Sequence, residues 1–472
     1  MSKNSGRKHA IVIGGGITGL AACYRLQREA AARDIPLDIT LLEAGGRVGG
    51  VIQTEHRHGF LIEHGPDAFI STKPAAKALC EEIGIADQFI GTNPKVRRSF
   101  VIRNRTLHPV PEGFYMMAPG SFMPFLKTPL FSWRGKLRMA LDLFIPRRGR
   151  DTDEAVAHFV RRRLGTEAFT RMAQPMIGGI YTSDAENLSL QATFPRFLEM
   201  EKAHGSIIKA LRVQKKQAAQ TSRDTSGPRY SLFLSFKSGM QTLIDTLTQA
   251  LSSSIRLDAK VEHIQQASDA NRWHVSLANG EMLNAELLCI ALPAPQAAAL
   301  IENIPSPLAA KLNTIPYASS ATVNLAFHRE DVTHPLDGMG FVVPATENLS
   351  LIGCSFSSVK FESRAPADHV LLRAFVGEPT SKKTETELIE LCQADLTPLL
   401  GLKNAPQFAI VSKHSQAMAQ YQVGHQDVVS SIEQFTSELR GLALAGNGYH
   451  GVGIPDCIQS GEAAALSLLE AL

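Results

Sequence analysis

The chain has cysteine but no cysteine pattern. Cys23, Cys80, Cys289, Cys354, Cys392 and Cys457 are widely scattered and none stands in CxxC spacing. That speaks against a disulfide framework and predicts reduced thiols in a cytoplasmic protein. Long apolar runs are missing too. The nearest, Leu287 to Ile301, is interrupted by Pro293, Pro295 and Gln296, so nothing approaches the roughly 18–20 residues of a membrane span. A soluble or peripherally membrane-associated protein is expected. Net charge is small, +3, and no recognition motif for nucleic acid occurs. No Ser/His/Asp, metal-ligand or paired-carboxylate constellation stands out either. His56, His58 and His64 read as structural or surface residues, no metal is expected, and no general base can be named. What remains is a globular composition, 44% hydrophobic and 20% charged, over 472 residues, long enough for about three domain-sized units.

The most informative stretch is HAIVIGGGITGLAACYRLQREAAARDIPLDITLLEAGGRVGG, from His9 to Gly50. A short apolar run, Ala10 to Ile13, breaks into Gly14-Gly15-Gly16-Ile17-Thr18-Gly19, with Gly14, Gly16 and Gly19 at G-x-G-x-x-G spacing. A helical pattern follows, then a second apolar run, Leu37 to Leu42, closed by Glu43. Strand, glycine turn, helix, strand and acid in this order make a βαβ unit suited to a dinucleotide. The glycines let the backbone approach a pyrophosphate, and the helix N-terminus offers unpaired N–H groups to it. Glu43, about 20 residues beyond, is placed to accept from ribose hydroxyls. Arg7 and Lys8 ahead of an apolar Ala10–Cys23 imitate a lipoprotein leader. Three consecutive glycines make a poor helical core for one, and a leader requires neither Glu43 nor a second strand.

A second glycine cluster, Gly46-Arg47-Val48-Gly49-Gly50, follows at once, with Arg47 available to phosphates. Further along, Lys95 to Arg150 holds twelve lysines and arginines against Glu112 and Asp142. They are interleaved with Phe114, Met116, Phe122, Phe125, Phe131 and Trp133. Such a segment suits a pocket for an apolar polyanion or a site on an anionic membrane surface. Pro74 to Gly84 reads as a helix. So do Asp153–Gly165 and Glu167–Gln174, with Asp151 or Thr152 as caps, until Gln174-Pro175 and the pair Gly178-Gly179 break the pattern. The polar run Gln214–Arg229 reads as an exposed loop. Strands are predicted at Tyr230–Phe236, Arg256–Ile264, Trp273–Leu277, Met282–Leu292, Thr322–Phe327, Gly340–Val343, Leu351–Ser355 and Leu371–Val376. The pattern Glu385–Leu396 is helical and stops before Pro398. Gly441 to Asp456 repeats the strand and glycine turn, and Cys457 to Leu472 forms a helix. That makes sense if the terminal helix returns to the first domain and points its N-terminus at the same cofactor.

Together GGGITG, the acid ending the second strand, GRVGG, GPDAF, SGMQTL and AGNGYHGVGIPDCIQSG resemble the flavin amine-oxidase and protoporphyrinogen-oxidase superfamily. NRTLHPVPEG, QPMIGGIYTSD and GVGIPDC are similar to the soluble porphyrinogen oxidases of Gram-positive bacteria. The resemblance runs over nearly the whole chain. It implies an α/β protein, α+β overall, with a Rossmann-like FAD-binding domain assembled from 1–90, 228–300 and 440–472. A helical substrate or membrane-surface domain over 91–212 and a mixed-sheet substrate domain over 301–439 complete it, with 213–229 as exposed loop. FAD would be held at the pyrophosphate by Gly14 to Gly19 and at the ribose by Glu43. Ala44, Arg47, Val51, Gly65, Pro66, Asp67 and Ala68 would line the remainder. Val261 would meet the adenine, while Asn447, Val452, Gly453 and Ile454 would lie by the flavin. His414 stands where relatives often carry tryptophan. On the substrate side the candidates are Lys73, Arg98, Ile180 and Tyr181.

The implied reaction is oxygen-dependent, six-electron oxidation of coproporphyrinogen III to coproporphyrin III in haem biosynthesis, releasing hydrogen peroxide. Protoporphyrinogen IX is the alternative substrate. Coproporphyrinogen bears four propionates against two, and the surplus of cations leans toward it. An amine oxidase, a carotenoid-type desaturase and a non-enzymatic binder like the GDP-dissociation inhibitors share the architecture. The expected partners are the porphyrinogen and dioxygen, with a monomer or homodimer, peripheral membrane contact and a haem-pathway partner enzyme as further expectations.

Overall fold

Five parallel strands form one sheet, in the order Ile255–Arg256, Leu37–Leu42, Lys8–Ile13, Leu287–Ile290, Leu442–Leu444. The computed structural model describes residues 7–96, 98–149, 152–182, 185–221, 231–267 and 272–472. Successive side chains of the first strand serve opposite faces, as the two-residue period of a strand requires. Ala10 and Val12 pack with the helix Ile17–Ala32 and the terminal helix Ile454–Glu470. Ile11 and Ile13 pack with Val261, Ile264, Trp273 and Val275 of a three-stranded antiparallel sheet. Both faces are therefore buried, which is why these strands read as unbroken apolar runs. Strand order reverses at the first strand: the chain adds Leu37–Leu42 on one side of it and Leu287–Ile290 on the other, all parallel. That is the crevice where doubly wound sheets hold their ligands.

The terminal helix does return to the first domain. A Cβ added to Gly461 would lie 2.2 Å from the Thr18 carbonyl oxygen, so the two helices cross in close backbone contact that no larger residue allows. The predicted run Met282–Leu292 divides into two strands, Met282–Ala285 in the antiparallel sheet and Leu287–Ile290 in the parallel one.

A second sheet has seven strands in the order Phe408–Ala419, Tyr317–His328, His369–Val376, Leu351–Phe356, Gly340–Val342, Phe100–Arg103, Thr106–Pro109. It is antiparallel except where Gly340–Val342 runs parallel to Phe100–Arg103. The helix Glu385–Leu400 covers it through Leu388, Cys392, Leu396 and Leu400. Residues 100–109, expected in the helical unit, thus belong to this sheet. The helices between Phe122 and Thr221 enclose a core of Phe125, Phe131, Phe159, Phe169, Met172 and Phe197.

Four local expectations need correction. The helix Val156–Leu164 takes no cap from Thr152, and Asp151 lies outside the described residues. Its first N–H groups are met from a distance, Val156 by the Leu188 carbonyl and Ala157 by the Ala185 carbonyl. Pro175 does not stop the chain: a π-helical segment, Phe169–Ala173, leads into the helix Gln174–Tyr181 and makes room for the ring. Pro398 likewise sits inside a helix that continues to Leu400 because Leu399 and Leu400 are buried. The polar run after Gln214 is helical through Thr221, as glutamine, lysine and alanine favour, while 222–229 lie outside the described residues.

Candidate cofactor and substrate site

The three fingerprint glycines have three different physical reasons. Gly14 has φ +106° and a Cβ there would meet the Ala291 carbonyl oxygen at 2.6 Å, so it makes the tight turn off the sheet. A Cβ on Gly19 would lie 1.9 Å from the Gly14 carbonyl oxygen, so its absence lets helix and strand close together. Gly16 is the opposite case: no atom lies within 4 Å of the position its Cβ would take. Gly16 is also the N-cap of the helix Ile17–Ala32, which has no side-chain cap and no acid in its first turn. Unpaired N–H groups therefore face open space, an arrangement that fits a pyrophosphate. The Ile17 and Thr18 side chains are buried against the core and the terminal helix, leaving only their backbone to the anion.

Glu43 closes this turn. Its Oε2 accepts from Gly15 N–H at 2.7 Å and its Oε1 from Gly45 N–H at 2.8 Å. The Glu43 backbone pairs with Arg256 and Ala259, which carries the chain toward Val261. Ala44 and Val51 are exposed at the same rim. Arg47 differs from expectation: its guanidinium donates to the carbonyls of Val48, Gly50 and Ile52, at 3.0, 2.6 and 3.2 Å. It shapes the second glycine loop. That loop is seated on the first by the Gly49 N–H, 2.7 Å from the Gly15 carbonyl.

The segment Gly65–Ala68 enters from beneath. A Cβ on Gly65 would clash with the Val51 carbonyl oxygen at 1.8 Å, and the buried Arg373 donates to the Gly65 carbonyl. Asp67 is engaged by Lys360, at 2.8 and 3.0 Å, so any cofactor contact here falls to its backbone neighbours Pro66 and Ala68. Burial alone would raise the Asp67 carboxyl, but Lys360 and the Arg373 and Arg364 guanidinium groups outweigh it and hold it below the usual range. His64 is structural, between Ser412 Oγ at 2.8 Å and Glu55 at 3.0 Å, and His414 Nε2 reaches the His64 carbonyl at 3.0 Å.

The terminal glycine turn carries the remaining residues expected at the cofactor. Gly446 and Gly451 have φ +142° and +157°. Asn447 is held by the protein on every side: Tyr317 Oη donates to its Oδ1 at 3.2 Å, and its Nδ2 donates to the Ala417 carbonyl at 2.8 Å. Val452 packs against the helical core, together with Tyr181 and Tyr317. Gly453 begins the terminal helix, and its N–H donates to Asp456 Oδ2 at 3.2 Å.

Of the substrate-side residues, Lys73 and Tyr181 come together at this turn. Lys73 bonds Asp456, and Tyr181 feels the same carboxylate: burial, with Asp456 beside it, pushes the phenol well above its ordinary value. Ile180, 45% exposed, is on the same helix as Tyr181, and that helix crosses the second sheet at Val342. Arg98 instead pairs with Asp337 at 3.0 Å. The cation surplus also changes meaning. Lys136 is buried and donates to the Leu126 and Thr128 carbonyls, and Arg138 binds the carbonyls of residues 161 to 163. Arg148 is 3.6 Å from Glu154. Arg97 and Arg150 lie outside the described residues. Three of the twelve cations, Lys136, Arg138 and Arg148, thus hold the helical unit together. Sequence reasoning missed Tyr421, which bonds two backbone groups of the terminal turn, and Asp456.

All six cysteines are buried and unpaired. Burial pushes the Cys23, Cys80, Cys289, Cys392 and Cys457 thiols up to about 12, so none is a ready nucleophile. Among the described residues no group of three or more His, Cys, Asp or Glu could hold a metal ion, and no helix is long and apolar enough to cross a membrane.

Residues 17–469 match the family described as flavin containing amine oxidoreductase. The chain belongs to this family. It is accordingly an FAD-dependent oxidoreductase. Among its relatives, the coproporphyrinogen III oxidase of Bacillus subtilis is 32% identical, over 98% of each chain. The human protoporphyrinogen oxidase is 31% identical, over 97% of this chain and 98% of the relative. A crystal structure of a protein from Exiguobacterium sp. 255-15, provisionally named a protoporphyrinogen oxidase, covers all of both chains with 31% identity and TM-score 0.87. FAD suits the walls described above: an uncapped helix N-terminus, an open Gly16 face and an oriented Glu43 carboxylate.

Proposed function

We propose that the protein oxidises coproporphyrinogen III to coproporphyrin III in haem biosynthesis. The carrying observation is full-length similarity to a coproporphyrinogen III oxidase, on a chain whose terminal turn abuts an aromatic, helical core on the side away from the nucleotide fingerprint. Protoporphyrinogen IX is the second reading, favoured by the near-equal identity to the human enzyme. The cation count no longer separates the two. The substrate loses six electrons and six protons, and three molecules of dioxygen take them to give three of hydrogen peroxide. FAD, when bound, supplies the two-electron acceptor for each of three cycles.

The chain's own part is to hold and orient. Gly14–Gly19 and Glu43 would fix the dinucleotide, with Ala44, Val51, Gly65, Pro66, Ala68 and Val261 along it. Val452–Ile454 would face the flavin, beside Asn447. Lys73, Ile180 and Tyr181 would border the macrocycle, with the Lys73 ammonium offered to a propionate.

The helix Trp133–Ala140 carries an exposed apolar stripe that continues past its end: Trp133, Leu137, Leu141 and Phe144, the last 80% exposed. Arg134 lies beside it in the same hollow. Amphipathic apolar residues with cations at their edge suit the interface of an anionic bilayer, and peripheral membrane contact is proposed there. The test of function is direct. Purified protein should be yellow and should generate porphyrin fluorescence from coproporphyrinogen III under air, faster than from protoporphyrinogen IX. Activity on protoporphyrinogen alone would select the second reading, and a yellow protein active only on amines would overturn both.

A further inference from the structure

The terminal glycine turn is held in place by a stacked aromatic pair that lies outside every motif in the sequence. Tyr421 Oη donates to the Asn447 carbonyl at 2.7 Å and accepts from the Gly451 N–H at 2.7 Å. The Tyr421 ring lies on the His425 ring, centroids 3.9 Å apart and planes 11° from parallel. His425 Nε2 donates to the Tyr449 carbonyl at 3.0 Å. Three backbone groups within five residues are thus bound by two side chains from the end of the second sheet and the start of the helix His425–Ser437.

The turn needs such help. Gly446 and Gly451 occupy backbone regions open mainly to glycine, and glycine carries the largest entropy cost of being fixed. A turn of this kind does not hold its shape by itself. Tyr421 and His425 are buried, and Tyr421 belongs to the core of the helical unit. Their grip therefore ties the N-terminus of the terminal helix to the domain expected to hold substrate.

We propose that Tyr421 and His425 are positioning residues: through Asn447, Tyr449 and Gly451 they fix the direction in which Val452–Ile454 meets the flavin. The proposal rests on the reading of that segment as flavin-facing. N–H groups at a helix N-terminus stabilise negative charge only when aimed at it. Loosening the turn therefore lowers the midpoint potential of the bound flavin, whose charge becomes more negative on reduction.

The experiment uses Tyr421→Phe, which removes both hydroxyl bonds and keeps the stack. A second pair follows, His425→Gln, which retains a donor, and His425→Leu, which does not. In the apoprotein, hydrogen exchange over residues 447–453 should quicken roughly ten- to hundredfold in Tyr421→Phe, the worth of two lost hydrogen bonds, while residues 17–32 stay unchanged. In the holoprotein the midpoint potential should fall and the visible flavin bands shift. His425→Gln should stay near wild type, and His425→Leu should follow Tyr421→Phe. Unchanged exchange would overturn the clamp itself. Faster exchange with an unaltered spectrum and potential would show that the turn moves freely of the flavin, which overturns the proposal by way of the reading beneath it. Faster exchange throughout the chain would reduce the pair to a general packing role and overturn it as well.

Discussion

The Lys73 ammonium sits 2.6 and 2.8 Å from the two carboxylate oxygens of Asp456, a residue 383 positions away. Lys73 precedes the helix Pro74–Glu82, and Asp456 lies in the first turn of the terminal helix. The pair bridges two walls of the proposed site. Lys73 is half exposed, 51%, while Asp456 is 11% exposed. An exposed partner contributes little to stability, about 0–1 kcal/mol. Lys73→Met should therefore leave the melting temperature nearly unchanged and raise KM for coproporphyrinogen roughly tenfold, the worth of one charge-assisted bond. Steady-state kinetics checks this, and an unchanged KM removes Lys73 from the substrate site.

Glu43 orients the turn through two bonds to backbone N–H groups before any ribose is considered. Hydrogen bonds to a charged group contribute about 1.5–3 kcal/mol each. Glu43→Ala should weaken FAD binding on the order of 10–100-fold, read by quenching of FAD fluorescence on titration with apoprotein. Glu43→Gln keeps one acceptor and should fall between. Wild-type affinity in both would refute the ribose role.

Asp142, counted in the sequence as one of two acids among twelve cations, has no solvent exposure and pairs with the equally buried Arg163, Nε to Oδ1 at 2.6 Å. Its other oxygen accepts from Ser206 Oγ at 2.6 Å and Ile208 N–H at 3.0 Å. Removing Asp142 leaves the buried Arg163 to Glu201, 3.4 Å from its Nη1, and takes an acceptor from the Ser206 hydroxyl and the Ile208 N–H. Asp142→Ala should cost about 3–5 kcal/mol, seen as a lowered denaturation midpoint of the helical unit. A change below about 1 kcal/mol would show that water reaches this pair.

Burial depresses His334, His414 and His425 below their ordinary value of 6.5. The unfolded chain therefore binds protons near 6.5 that the folded chain refuses until lower pH. Their contribution to stability is complete above about pH 6.5 and is lost as pH falls through the folded values. Melting temperature should decline on acidification from about pH 7 to pH 5, and His414→Gln should flatten that slope. A slope unaltered by the substitution assigns the loss to other groups.

The fingerprint was legible because it is local. Gly14, Gly16 and Gly19 act within six residues, and the helix, strand and acid that follow are short-range patterns. The return of the terminal helix was legible for the same reason, as its turn repeats the first. Tyr421 was not, because nothing near it in sequence says that its hydroxyl reaches Asn447 and Gly451. The basic segment misled for a related reason. Partners of its cations, Glu154 and the carbonyls of 161 to 163, lie beyond the stretch in which charge was counted. Pro175 and Pro398 were read as breaks because intrinsic preference was judged without the burial that overrides it.

The parallel sheet closes with Leu442–Leu444, and Gly461 seats the terminal helix on the first. A ribosome making this chain therefore releases the fingerprint more than 400 residues before its last packing partner exists. During that interval the first helix lacks the neighbour that covers it, and its apolar side stands open to aggregation or to a chaperone. The proposed cofactor site waits for that segment: a chain cut short before Leu442 would carry every fingerprint glycine and still lack the terminal turn.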